Sequence, residues 1–268
     1  MESLPVIDNS AVVYDTNTPI GAVYKGITLA TSSSNTLQLY AANFRSGNVE
    51  IYDTNFHLVK SFTDTNATSA GYAPFNVKRI DVKGERHTVT QLIFVTFAAQ
   101  DANKHDDVSG PGNGLIDVFD TDGNLKLRFA NTSGDLNSPW GLEYAPGVFG
   151  KVRGFNNKLV LIKNALLVGN FGDGKILAFD MSSLLDKIAA NSHQPAEELG
   201  ALTDSLGRPL QFDGLWSLQF GRHGDTGKTH GADADFDSDE QHDLYFSAGI
   251  VGENDGLMGG IKFQNASH

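Results

Sequence analysis

Short alternating apolar runs, each closed by a tight turn, recur along the whole chain, and two stretches are near copies of one another. Val168-Gly169-Asn170-Phe171-Gly172-Asp173-Gly174-Lys175-Ile176-Leu177-Ala178-Phe179-Asp180 repeats the order of Ala41-Ala42-Asn43-Phe44-Arg45-Ser46-Gly47-Asn48-Val49-Glu50-Ile51-Tyr52-Asp53. In both, Asn-Phe and two further residues lead to a Gly, and an alternating strand follows that ends in aromatic-Asp. The pattern predicts a β-hairpin whose Gly takes positive φ in the turn. Two weaker copies pair Leu92–Phe97 with Leu115–Asp120, across a long connection at Ala98–Gly114, and Leu244–Gly249 with Gly260–Phe263. A short strand precedes each hairpin, at Gly26–Leu29, Asn76–Ile80, Gly141–Tyr144 and Ser217–Phe220. A fourth strand follows each closing Asp, as at Leu58–Phe62 and Leu125–Phe129.

A repeat of this size made only of strands is the signature of propeller blades, which bury their apolar faces by stacking around an axis. The expected fold is therefore all-β, a β-propeller of four-stranded antiparallel blades in a single domain over residues 1–268. About four full blades are visible. Ala11-Val12-Val13-Tyr14 reads as the outer strand of a partial one, so the chain begins inside the repeat. This favours a larger ring over closure with four blades. An incomplete ring would expose two sheet faces and invite self-association. Ser182–Ala190, with its serines and i, i+3/i+4 apolar spacing, predicts one short surface helix.

Composition narrows the partners. A net charge of −12 disfavours nucleic acid and anionic membrane surfaces. No apolar run approaches the length that crosses a bilayer, so membrane insertion is not expected. Cysteine is absent, which excludes disulfides, thiolate metal sites and cysteine nucleophiles. Met1–Pro19 lacks the charged-then-apolar order of a signal peptide. Glycosylation-type triplets stand at Asn66-Ala67-Thr68, Asn131-Thr132-Ser133 and Asn265-Ala266-Ser267, a pattern short enough to arise by chance.

Propeller topology brings the segments leading into the first strands and the turns between second and third strands to one rim of the channel. On that rim the sequence places Gln100–Gly114, a long loop holding Asp101, His105, Asp106 and Asp107, together with Asn76, Trp140, Asp213 and Trp216. Oxygen ligands from Asp101, Asp106 and Asp107, with His105 in the shell or acting as a base, would suit calcium or another divalent cation. The same cluster also reads as a hydrogen-bonded loop anchor, and the tryptophans as packing between blades. Asp233–Glu240 resembles the opening of a calcium loop but lacks Gly at the sixth position and Glu at the twelfth, where Leu244 stands, and reads as a solvated acidic loop. Asp53, Asp120 and Asp180, each closing a third strand, read as turn residues. No pattern for haem, flavin or nucleotide is present.

The run Ala22–Gly26, Ala70–Asn76, Gln100–Asp107, Asn137–Leu142, Gly169–Gly174 and Asp213–Trp216 resembles an uncharacterised family of secreted bacterial β-propellers. That family is distantly similar to NHL-repeat propellers and sugar-lactone lactonases, and some members carry a Pro-Glu-Pro-type C-terminal sorting signal. The resemblance implies a secreted or cell-surface protein with a six-bladed ring, and family members are longer at the N-terminus by an export signal and roughly two blades. It implies no established activity. Two functions follow: a binding scaffold that holds a protein or glycan on the rim, ranked first because no acid/base pair or nucleophile context is recognisable, and a calcium-dependent lactonase-like hydrolase using the same rim.

Overall fold

The computed structural model describes residues 21–84, 88–132, 134–153, 158–221 and 243–262. Four antiparallel sheets follow one another along the chain and form a four-blade β-propeller. Blade 1 is β1 (Tyr24–Thr31), β2 (Leu37–Asn43), β3 (Asn48–Tyr52) and β4 (Leu58–Phe62), and α1 (Thr65–Ser69) leads out of it. Blade 2 is β5 (Tyr72–Lys83), β6 (Val89–Ala99), β7 (Gly114–Phe119) and β8 (Leu125–Ala130). Blade 3 is β9 (Pro139–Arg153), β10 (Leu159–Asn170), β11 (Ile176–Asp180) and β12 (Glu198–Ala201), with α2 (Leu184–Ala189) before its last strand. Blade 4 has three strands among the described residues, β13 (Leu215–Phe220), β14 (Leu244–Gly249) and β15 (Asp255–Ile261), with a single irregular turn, α3 (Ile250–Glu253), between the last two.

Alternation along the strands explains the stacking. In β6, Ile93, Val95 and Phe97 pack against Tyr40, Ala42, Val49 and Ile51 of blade 1, while Leu92 and Phe94 join a second core with Leu142, Leu166 and Val168 of blade 3. A strand buried on both faces reads as the continuous apolar run seen in the sequence. A third core joins Leu167, Ile176 and Ala178 to Leu215, Phe220 and Phe246. On the face of blade 1 turned away from blade 2, Ile27 and Leu29 are 66% and 52% exposed.

Several elements exceed or escape the sequence reading. The first and second strands of blade 3 are far longer than Gly141–Tyr144 predicts, because Ala145–Arg153 and Leu159–Asn164 continue the ladder beyond the blade. The helix expected at Ser182–Ala190 is α2, although Ser183 makes no side-chain capping bond. Neither α1 nor α3 is foreseen: Asp64 caps α1 by accepting from Asn66 N at 2.9 Å. The last strand is Asp255–Ile261, displaced toward the N-terminus from Gly260–Phe263. The partial strand at Ala11–Tyr14 and the acidic stretch Asp233–Glu240 lie outside the described residues, as do Ser133 and Asn265–Ser267 of the glycosylation-type triplets.

The aspartates after the third strands behave as turn residues. Asp53 Oδ1 accepts from Asn55 N and His57 N at 2.8 and 2.9 Å, Asp120 Oδ1 from Asp122 N and Asn124 N at 3.0 and 2.8 Å, and Asp180 Oδ1 from Ser182 N at 3.0 Å. Among the described residues no helix is long and apolar enough to cross a membrane.

Candidate functional site

Aromatic residues near the starts of β5, β9 and β13 and just past the ends of β2 and β10 meet where the inner edges of the blades converge. Phe44 packs on Phe75 with ring centroids 5.5 Å apart, and Phe75 lies 5.9 Å from Trp216. Trp216 in turn lies 4.5 Å from Phe171 and meets Trp140 edge-on at 5.4 Å. Phe44 belongs to blade 1, Phe75 to blade 2, Phe171 and Trp140 to blade 3, and Trp216 to blade 4, so one aromatic layer ties the four blades together. Trp140 Nε1 donates to Lys25 O at 3.0 Å, reaching blade 1 from blade 3.

Beneath this layer a polar link follows. Lys78 of β5 donates to Leu142 O at 2.7 Å and pairs with Glu143 of β9, whose Oε1 also accepts from Gln219 of β13 at 3.3 Å. Burial pushes the Glu143 carboxyl above its ordinary range, against the pull of Lys78.

Above the layer is a cavity of about 250 Å³. Its half-buried walls are Lys25, Phe171 and Trp216, and its polar side is formed by Asp106, Asp107, Ser109 and Glu253. Lys25 Nζ sits 5.9 Å from the centroids of both Phe44 and Phe75, within cation–π reach, and 3.5 Å from Asp106 Oδ1. Its side chain is 17% exposed.

The loop that supplies Asp106 and Asp107 is fastened on both sides. Gln100 Nε2 donates to Phe44 O at 2.6 Å in blade 1, and Gly110 N donates to Asn137 Oδ1 at 2.7 Å ahead of blade 3. Inside the loop, Asp101 Oδ1 accepts from His105 N at 2.8 Å and Asp106 N at 3.2 Å. The backbone bond from His105, then that from Asp106, holds the Asp101 carboxyl below its usual range. His105 Nδ1 lies 3.0 Å from Asp106 Oδ1, and this contact lowers Asp106. Ser109 Oγ donates to Asp107 Oδ2 at 3.1 Å.

Glu253 reaches the cavity from an unusual turn. Val251, Gly252 and Glu253 all have left-handed backbone, with φ of 58°, 62° and 64°. A β-branched residue there is strained, and such strain persists only where surrounding contacts enforce it. Two contacts do so: Val251 N donates to Asp213 Oδ2 at 3.2 Å, and Trp216 Nε1 donates to Glu253 Oε1 at 2.8 Å. Asp213 thus fixes the turn, and the turn's carboxylate fixes the indole.

The residues singled out from sequence separate by role. Asp106, Asp107 and Trp216 line the cavity. Asp101, Asp213 and Trp140 position what lines it, and His105 touches Asp106 from the exposed side. Asn76 is buried instead: its Nδ2 donates to Trp140 O at 2.7 Å and its Oδ1 accepts from Val77 N at 2.8 Å, so it bonds blade 2 to blade 3. Lys25, Ser109, Phe171 and Glu253 escape the sequence reading. The recurrence of Asn-Phe in the twin hairpins was the available signal for Phe171. No group of three or more His, Asp or Glu side chains converges as a metal shell would among the described residues.

The fold and the cavity define a β-propeller with a polar, aromatic-walled pocket at one end of its channel. No protein-family model matches the chain. It is similar to two proteins of Acanthamoeba polyphaga mimivirus: uncharacterized protein L690, 28% identical over 246 residues that make up 90% of this chain and 51% of L690, and uncharacterized protein R648, 26% identical over 229 residues, 83% of this chain and 45% of R648. The chain therefore spans about half the length of the curated relatives it matches. Among solved structures, a chain from the crystal structure of BBS1N in complex with ARL6DN, soaked with lead, overlaps 89% of this chain and 50% of its own, with a TM-score of 0.42 and 11% identity.

Proposed function

We propose that the chain is a binding scaffold whose ligand enters the rim pocket above the aromatic layer. The observation that supports this is convergence: one cavity takes side chains from all four blades, through Lys25 of the first, Asp106, Asp107 and Ser109 of the second, Phe171 of the third, and Trp216 and Glu253 of the fourth. Rigid sheets hold these groups while the chemistry sits on the connections, the usual division of labour in binding propellers. The ligand class carried from the sequence is a protein or a glycan. Arrays of oligosaccharides and of peptides, probed with the folded chain and with Lys25→Ala, test the reading. Binding by the parent chain that falls at least tenfold in the variant supports it; retained binding by the variant places the ligand elsewhere.

The alternative, a calcium-dependent lactonase-like hydrolase, draws on Asp101, His105, Asp106 and Asp107 as ligands and His105 as base. In that loop the Asp101 carboxylate is engaged by two backbone amides, and no observation favours hydrolysis over binding. Calcium titration of metal-free protein separates the two: a rise in melting temperature that Asp106→Asn abolishes would support the hydrolase. Export and an NHL-like affiliation belong to the family resemblance alone.

A further inference from the structure

The pocket is small, and its charges are opposed. Pockets that hold drug-sized ligands run to about 300–1,000 Å³, whereas this one holds about 250 Å³. It therefore admits one ring or one side chain. At its inner wall the Lys25 ammonium occupies the site over the Phe44 and Phe75 rings where an incoming cation would otherwise gain most. Across from it stand Asp106, Asp107 and Glu253, which repel an anion. A cation meets a resident cation on the aromatic faces, and an anion meets three carboxylates.

The arrangement suits a neutral ligand with many hydroxyl groups and one apolar face. Carboxylates are acceptors only, and each can take two hydroxyl donors; the ammonium is a donor only, with three hydrogens. Among the described residues Lys25 meets one carboxylate oxygen, at the long distance of 3.5 Å, which leaves ammonium hydrogens for a guest. Ser109 serves in either sense. Phe171 and Trp216 supply the apolar wall, and the indole is held in place by Glu253 through the left-handed turn. A pyranose matches this arrangement: its C–H face lies on an aromatic ring while its hydroxyls exchange hydrogen bonds with charged groups, the stronger kind.

We infer that the rim pocket binds a single neutral pyranose ring, the terminal or branch sugar of a glycan. The inference rests on the reading of the rim as a binding site and names its ligand. Backbone strain at Val251–Glu253 then acquires a purpose, because it aims a carboxylate at the sugar while clamping the stacking indole.

The test follows the indole N–H resonances of the two tryptophans in ¹⁵N-labelled protein, with Trp216 assigned by Trp216→Phe. The probes are methyl glycosides of glucose, galactose, mannose and N-acetylglucosamine. Sialic acid, glucosamine and arginine methyl ester serve as anionic and cationic controls. The expected result is a saturable shift of the Trp216 resonance with at least one neutral glycoside and with none of the controls. Asp107→Asn and Glu253→Gln should each weaken that glycoside roughly tenfold while the melting temperature is retained, as loss of a charged hydrogen bond predicts. A charged control that shifts Trp216 while the neutral glycosides do not overturns the sugar assignment and leaves the pocket as a binding site. If no probe moves Trp216 and array ligands bind a Lys25→Ala variant undiminished, both the assignment and the rim reading fall.

Discussion

Blade 1 turns through Asn43-Phe44-Arg45-Ser46-Gly47 and blade 3 through Asn170-Phe171-Gly172-Asp173-Gly174. The backbone is the same in both: Gly47 N donates to Asn43 O at 3.1 Å with φ of 74°, and Gly174 N to Asn170 O at 3.0 Å with φ of 73°. The surroundings differ. Phe44 is fully buried beneath Lys25, whereas Phe171 is half-buried and walls the pocket. A Cβ on Gly47 would meet Thr68, its methyl at 3.3 Å, while one on Gly174 would stand 2.1 Å from Phe212 O. One local code thus makes a floor in one blade and a wall in another, and what divides them is the neighbour each turn faces.

The largest break in that equivalence should come from the phenylalanines. Phe44→Ala removes a fully buried ring and is expected to cost about 3–5 kcal/mol, against about 1–2 kcal/mol for the half-exposed Phe171→Ala. Chemical denaturation of the two variants measures the gap, and equal losses would mean that Phe171 is as deeply packed as Phe44. Next come the glycines. Gly174→Ala combines left-handed backbone with a clash against a carbonyl and should lose about 3 kcal/mol, while Gly47→Ala should lose about 1 kcal/mol from the backbone alone. Thermal melts of the pair decide it. Smallest is the position that differs most in sequence. Among the described residues Arg45 Nε is buried without a hydrogen-bond partner, so Arg45→Gly, which installs blade 3's residue, should change stability by no more than about 0.5 kcal/mol. A loss beyond about 1.5 kcal/mol would assign Arg45 a structural contact of its own.

The hairpins were legible because their signal is local: an alternating run, a Gly that needs positive φ, and an Asp whose carboxylate closes the next turn. Stacking followed from the repeat. The rim loop was legible in outline, since topology alone brings Asp106, Asp107 and Trp216 to one end of the channel. Lys25 was not, because a bulge between Tyr24 and Gly26 changes which way the strand presents it, and nothing in Val23-Tyr24-Lys25-Gly26 announces a bulge. Glu253 was hidden for a similar reason. Its place depends on three left-handed residues, two of them types that rarely adopt that conformation, enforced by Asp213 from the segment leading into β13. Asn76 went the other way: its position next to the rim was foreseen, but a bulge between Pro74 and Asn76 accompanies its burial against blade 3. Features set by contacts between distant segments leave little trace in sequence order.

The edge-on meeting of Trp140 and Trp216 has an optical consequence. These are the only two tryptophans in the chain, and their rings lie 5.4 Å apart at 87°. Two indoles so close, one from each of two successive blades, couple their electronic transitions. Their circular dichroism should therefore carry an exciton couplet that neither chromophore gives alone. The couplet exists only while blades 3 and 4 are in register, which makes it a label-free gauge of blade association, separable from the strand signal of the individual sheets.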